Sequence, residues 1–164
     1  CDARKIGRKQ PEPYAGTYAM DRGACFGLQF RRQTRTHFYL FSQSADGGLL
    51  RLYPTGCDRQ RPDFSATAIS YPLQGQAFGW NPRGGQQSLH VIVTATDSAT
   101  RRLDRLMSLL PDSCARSSDR SKDRNISSNA WLSSMETSIE QMGSAAAWQS
   151  LDVLHASNFR GARR

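Results

Sequence analysis

Residues 36–55, THFYLFSQSADGGLLRLYPT, are the clearest local signal in the chain, because two apolar runs flank a turn sequence. The first run, His37 to Phe41, is aromatic and apolar and favours a pleated strand. Asp46-Gly47-Gly48 then supplies the positive φ that a tight turn needs. Leu49 to Tyr53 is predicted to form the second strand of the hairpin, which ends before Pro54. The stretch therefore predicts a β-hairpin.

Side-chain alternation along this hairpin predicts that both of its faces are covered. Successive residues of a strand point to opposite faces, so Phe38 and Leu40 lie on one side and His37, Tyr39 and Phe41 on the other. Apolar groups on both sides indicate a hairpin inside the sheet and not at its edge. The hairpin carries neither a lone nucleophile nor paired acids, so it predicts structure and no chemistry.

The rest of the chain contributes further strands and two helices. A helix capped by Asp97 or Ser98 and ended by Pro111 is predicted from apolar residues at three-and-four spacing, and a second runs from 129 to 142 before Gly143. Alternation predicts strands at residues 26–30, 68–73, 89–96 and 148–155. The expected fold class is α+β, with an antiparallel sheet or sandwich-like core and two amphipathic helices before the last strand.

Composition predicts one domain with basic ends. Residues 1–13 are expected to form a tether, 14–159 one globular α+β domain with a Ser-rich connection at 113–128, and 160–164 a basic tail. The net charge of +8 favours an acidic partner, which could be an anionic membrane, nucleic acid or an acidic protein. The arginines are dispersed and lack interleaved aromatic residues, so nucleic acid is not the favoured partner.

The first residue, Cys1, and the polar basic segment behind it resemble the start of a mature bacterial lipoprotein. That resemblance implies a lipid on Cys1 and a periplasmic location, anchored to either the inner or the outer membrane. The alternative is a chain that begins at an arbitrary point.

The four cysteines favour disulfide chemistry over metal binding. They form no C-x-x-C motif and stand at no ligand-like interval from a histidine, so no metal site is predicted. With Cys1 lipidated, three thiols remain, and the expected bridge joins Cys57 to Cys114, slightly ahead of Cys25 to Cys57. Without the lipid, two bridges become possible, and the four cysteines could pair in any of three ways.

Several segments resemble a bacterial domain family of unknown function that occurs in envelope lipoproteins and is appended to Ser/Thr kinases and caspase-like peptidases. The resemblance covers roughly residues 24–156, and the Ser-rich insertion of this chain is longer than in the family's shorter members. It implies a sandwich-like accessory module that binds other proteins and has no catalytic motif. The matching segments are Phe38-Tyr39-Leu40-Phe41, Ser44-Ala45-Asp46-Gly47, Leu52-Tyr53-Pro54, Asn81-Pro82-Arg83-Gly84-Gly85 with His90-Val91-Ile92-Val93, and Trp148-Gln149-Ser150-Leu151.

These features predict a non-enzymatic, lipid-anchored scaffold subunit of a multiprotein envelope assembly such as a secretion system. No catalytic residue, cofactor or small-molecule substrate is expected. The alternative is a soluble basic protein that recognises an acidic protein or nucleic acid. Partner contacts are expected from loop residues of types that are common at interfaces, namely Arg59, Arg61, Phe78 and Trp80. For Trp80 the competing prediction is burial in the core.

Overall fold

The computed structural model describes residues 13–14, 17–20, 25–31, 36–55, 68–71, 78–79, 87–112 and 127–155. Within them, ten strands and two helices give the predicted α+β class, with both helices before the last strand. The helices are α1 (Asp97–Met107) and α2 (Ser128–Met142), and a 3-10 turn follows at Gly143–Ala145. The strands are β1 (Pro13–Tyr14), β2 (Thr17–Met20), β3 (Cys25–Phe26), β4 (Leu28–Arg31), β5 (His37–Ser44), β6 (Leu49–Tyr53), β7 (Ala68–Tyr71), β8 (Phe78–Gly79), β9 (Gln87–Thr94) and β10 (Ala146–His155).

Six strands form the main sheet in the order β1-β2-β10-β9-β5-β6. The four strands from β10 to β6 are antiparallel to their neighbours, as expected, whereas β2 runs parallel to β10. Pro13, which the sequence assigns to the tether, lies in β1 and pairs with Tyr18 of β2. The sheet therefore reaches further towards the start of the chain than the hydrophobic pattern indicates.

The predicted hairpin is confirmed, and its turn has the positive φ that the sequence predicts as well as side-chain hydrogen bonds that it does not. Gly47 has φ +85°, a left-handed conformation that glycine adopts without steric cost. Asp46 accepts hydrogen bonds from the Ser44 hydroxyl and from the Gly48 N–H. These two donors, the hydroxyl first, hold the pKa of Asp46 below its usual value.

The expected interior position is correct for only one strand of the hairpin. β5 lies between β9 and β6, but β6 is the last strand of the main sheet. Its outer side is partly covered, since the Arg51 N–H donates to the Pro111 carbonyl and Arg51 forms an isolated bridge with Asp112. The Arg51 guanidinium also pairs with the Asp112 carboxylate at 2.9 Å. A segment after α1 thus protects an edge that could otherwise pair with another chain.

Both faces of β5 are buried, as the alternation predicts. Tyr39 and Phe41 pack on the helix side, whereas Phe38 and Leu40 belong to a cluster on the opposite face. That second cluster includes Leu28 of β4. The sheet therefore has a helical layer on one face and contacts from the preceding short strands on the other.

The short strands before and after the hairpin pair with each other and do not join the main sheet. β3 pairs with β8, and β4 pairs with β7. The strand predicted at 68–73 forms but ends at Tyr71, before Pro72.

The two helices end close to the predicted positions. Thr96, and not Asp97 or Ser98, caps α1 by accepting the Ala99 N–H at 3.3 Å. Gly143 follows α2 with φ +54°. The cap of α1 therefore lies one residue before the predicted pair, whereas Gly143 ends α2 as predicted.

The helices lie side by side and antiparallel. Arg102, in the middle of α1, hydrogen bonds to Gln141, near the end of α2. The Trp131 indole N–H, near the start of α2, donates to the carbonyl of Leu106, near the end of α1, at 3.0 Å. Their buried faces share one cluster with the sheet. It contains Tyr39, Phe41, Ile92, Leu103, Met107, Leu110, Trp131 and Met135.

Candidate functional site

A row of side chains crosses the helix-facing side of the sheet at its middle. Register places Ser150 opposite His90, His90 opposite Phe41, and Phe41 opposite Arg51. The His90 ring stacks on Phe41, with centroids 4.4 Å apart and planes 13° apart. His90, in the middle of this row, is only 6% exposed to solvent.

Hydrogen bonds fix the protonation state of His90. Its Nδ1 lies 3.3 Å from the Trp148 indole Nε1 and 2.8 Å from the Ser150 hydroxyl. Because an indole nitrogen can only donate, Nδ1 accepts and the neutral ring carries its proton on Nε2. That Nε2 is buried and has no hydrogen-bond partner. Burial lowers the pKa of His90 from 6.5 to about 4, while the charge of Asp152 opposes the shift.

The polar residues around His90 do not act on it as a catalytic relay would. The Asp152 carboxylate accepts a hydrogen bond from Ser88 at 2.6 Å, and Ser150 is the hydroxyl on the imidazole. In a Ser-His-Asp triad the acid orients the imidazole from the nitrogen opposite the nucleophile, and here that nitrogen is the unpartnered Nε2. The arrangement keeps the imidazole neutral and holds Trp148 against the sheet.

A small polar depression lies beside the hairpin turn. It encloses about 260 Å³ and is lined by Gln43, Ser44, Ala45, Gly47 and Ser88. In the described part of the chain, no group of three His, Cys, Asp or Glu side chains could hold a metal ion. Neither described helix is long and apolar enough to cross a membrane.

Of the four predicted partner-binding residues, only Phe78 lies within the described residues. It was assigned to a loop, but it forms β8 with Gly79 and pairs with Phe26. The loop assignment is therefore wrong, because two residues of pairing with β3 were not visible in so short an apolar run. Arg59, Arg61 and Trp80 lie outside the described residues, as do Cys1, Cys57 and Cys114.

Cys25 is buried and disulfide-bonded. The chain has three other cysteines, Cys1, Cys57 and Cys114, one of which must be its partner. A bond to Cys1 leaves no thiol there for a lipid, and a bond to either of the others excludes Cys57–Cys114. The lipid on Cys1 and the Cys57–Cys114 bridge were predicted together and cannot both be present.

The outer surface of the helical layer carries two rows of like charge. The arginine row is Arg101 and Arg105 on α1, and the glutamate row is Glu136 and Glu140 on α2. All four side chains are exposed, and none forms an ion pair with another described residue. Sequence reasoning missed both rows, although their four-residue spacing within predicted helices was visible.

The positive charge of the chain lies outside the described residues. The described residues contain five arginines and seven carboxylates, a net charge of −2. The remaining segments contain 17 basic and seven acidic residues, a net charge of +10. The described part of the chain is therefore slightly acidic, and the net positive charge belongs to the segments outside it.

Comparison with protein-family models found no match, and comparisons with the curated proteins and with the solved structures found none either. The resemblance to the envelope domain family therefore stays a prediction.

Proposed function

We propose that this chain is a non-catalytic binding subunit of a multiprotein assembly in the bacterial cell envelope, such as a secretion system. The observation that carries the proposal is the division of charge, −2 in the described core against +10 in the remaining segments. A basic segment attracts an acidic partner over a distance of about 10 Å at moderate salt. The remaining segments would then supply the charge that attracts the partner, and the core the fold that carries them.

The disulfide at Cys25 supports the envelope location. Disulfides persist in oxidising compartments, including the bacterial periplasm, and are rare in the cytosol.

Arg59 and Arg61 are the proposed contacts to an acidic protein. Two arginines separated by one residue can each reach a carboxylate of an extended acidic segment, and guanidinium groups bind carboxylates through two parallel hydrogen bonds. Trp80 is proposed as an apolar anchor for the same partner, since tryptophan is enriched among residues that dominate binding energy.

The test compares Arg59→Gln/Arg61→Gln with a matched control, Ser98→Glu/Asn129→Asp. Both double variants lower the net charge by two, but the control changes exposed positions at the starts of α1 and α2, where acidic residues are favourable. Binding of a fluorescent polyglutamate peptide is measured by anisotropy at low salt. We expect the arginine variant to bind about five- to tenfold more weakly and the control to bind like the wild type.

Equal weakening in both variants would show that net charge alone governs binding and would remove the support for Arg59 and Arg61. A duplex DNA probe measured in parallel tests the alternative of a nucleic-acid partner. Tighter binding to the DNA, with affinity falling steeply as salt rises, would favour that alternative.

A further inference from the structure

A second row of side chains, which is wholly polar, crosses the main sheet between the row through His90 and the hairpin turn. Register places Gln43 opposite Ser88 and Ser88 opposite Asp152. Each of the three stands two residues along its strand from a member of the row through His90, and all three therefore lie on the helix-facing side. Neighbouring strands lie about 4.8 Å apart, so this polar row extends about 10 Å across the sheet.

The helices end before they reach the polar row. Trp131, near the start of α2, meets the Phe41 ring edge-on with centroids 5.0 Å apart, and its indole donates to Leu106 near the end of α1. Both of these helix ends therefore lie beside Phe41, which is fully buried. All three members of the polar row, one step further along the sheet, are partly exposed. The sheet thus offers an open polar surface between the helix ends and the hairpin turn.

The polar row has hydrogen-bonding capacity that the fold does not use. The Ser88 hydroxyl donates to one oxygen of the Asp152 carboxylate at 2.6 Å, and a carboxylate can accept several further hydrogen bonds. The Gln43 side chain forms no hydrogen bond with another described residue, so its amide can both donate and accept. The two ends of the polar row are therefore available to a ligand.

The charge and size of the site define the class of ligand. Gln43 and Ser88 also line the depression of about 260 Å³ beside the turn, and none of the described residues that line it is basic or has a large apolar side chain. Asp46, in the turn, and Asp152 would repel an anion, and each already accepts a hydrogen bond, which reduces its attraction for a cation. The volume is below the range of about 300–1,000 Å³ that holds drug-sized ligands, and it suits a single sugar ring.

We propose that the polar row and the adjoining depression bind one unit of a neutral saccharide, whose hydroxyl groups bond to the Gln43 amide and the Asp152 carboxylate. A sugar hydroxyl both donates and accepts, and it therefore satisfies either group. Because the site is open and offers few contacts, we expect a dissociation constant on the order of 1 mM. The site shares no residue with Arg59 and Arg61 and takes an uncharged ligand, so it is independent of the proposed acidic partner.

The test follows backbone amides by two-dimensional NMR of the isotope-labelled full chain. Three neutral disaccharides, maltose, cellobiose and N,N′-diacetylchitobiose, are each added to about 20 mM, well above the expected dissociation constant. We expect at least one of them to shift the amides of residues 43–48 and of Ser88.

A pair of matched variants locates the contacts. Gln43→Ala/Asp152→Asn is expected to bind the same disaccharide about fivefold more weakly, because it removes one hydrogen-bonding group and the charge of another. The control, Gln149→Ala/Glu136→Gln, removes one glutamine side chain and one negative charge at exposed positions, on the opposite face of β10 and on α2. It should bind like the wild type.

Three outcomes would overturn the proposal: no disaccharide shifts these amides, the site variant binds as tightly as the wild type, or propylammonium binds there more tightly than any disaccharide. Amide spectra as well dispersed as that of the wild type establish that the variants are folded. If the double variant unfolds, Gln43→Ala alone replaces it, with about threefold weaker binding as the expected result. Polyglutamate binding should be the same in the site variant and its control, so a failure here is distinct from a failure of the proposed acidic partner.

Discussion

Trp148 of β10 donates its indole N–H to Nδ1 of His90 in the neighbouring strand β9. His90 must be neutral to accept this hydrogen bond. A protonated imidazole has donors on both nitrogens and could no longer accept this hydrogen bond. The packing of Trp148 against the helix-facing cluster therefore depends on the charge of His90.

Acid is expected to destabilise the fold through this histidine. The pKa of His90 lies at about 4, against 6.5 in the unfolded chain, so the unfolded state binds more protons between these values. The stability from neutral His90 is complete above pH 6.5 and is lost as the pH falls towards 4. From pH 8 to pH 5 the full difference is about 2 kcal/mol, and we expect about 1 after a discount for solvent screening.

Urea denaturation at several pH values checks this expectation. His90→Gln should lose the pH dependence between 6.5 and 5, whatever its absolute stability. His37→Gln, on the same face of the sheet, is the control and should keep it. Parallel curves for the wild type and His90→Gln would contradict the assignment.

Met135→Ala tests whether α2 is held by the cluster beneath it. Met135 has no exposed surface, and its truncation leaves a cavity among Phe41, Leu103 and their neighbours. We expect a loss of about 2–4 kcal/mol in the free energy of unfolding. The neighbouring exposed Glu136→Ala should stay within about 0.5 kcal/mol. Equal effects of the two substitutions would mean that α2 does not pack as described.

The ion pair between Arg51 and Asp112 is expected to secure the sheet edge. Both side chains are largely buried, at 18% and 15% exposure, and Nε of Arg51 has no partner. Asp112→Ala removes the carboxylate that pairs with the guanidinium and should cost about 2 kcal/mol, between the values for exposed and fully buried pairs. A double-mutant cycle with Arg51→Met measures the coupling, and a coupling near zero would show that the pair does not hold the edge.

Peptide mapping under non-reducing conditions resolves the conflict among the cysteines. Trypsin places all four in separate peptides, since a basic residue stands between each successive pair. We expect Cys25 linked to Cys57, the second pairing that the sequence favours, which leaves Cys1 available for a lipid. A Cys25–Cys1 peptide would exclude the lipid, and an unlinked Cys25 would contradict the described disulfide. Cys25→Ser should lower stability by about 2–5 kcal/mol.

The sequence by itself determined the features whose causes are local. Gly47 permits the left-handed turn, Pro54 ends the hairpin, and apolar residues three and four apart define α1 and α2. Each of these is decided by residues within about one turn of each other along the chain, and the two faces of β5 follow from alternation in the same way.

Only the tertiary structure decided which strands are neighbours and what each buried polar group meets. The parallel pairing of β2 with β10 and the pairing of Phe78 with Phe26 both join residues that are far apart in sequence. The edge position of β6 likewise depends on the order of all the strands in the main sheet. The sequence does not distinguish His90 from any other histidine in a strand, because its neighbours Phe41 and Ser150 are set by the strand register. Its neutral state is set by desolvation and by the donors that surround it, and these depend on long-range packing that no local pattern specifies.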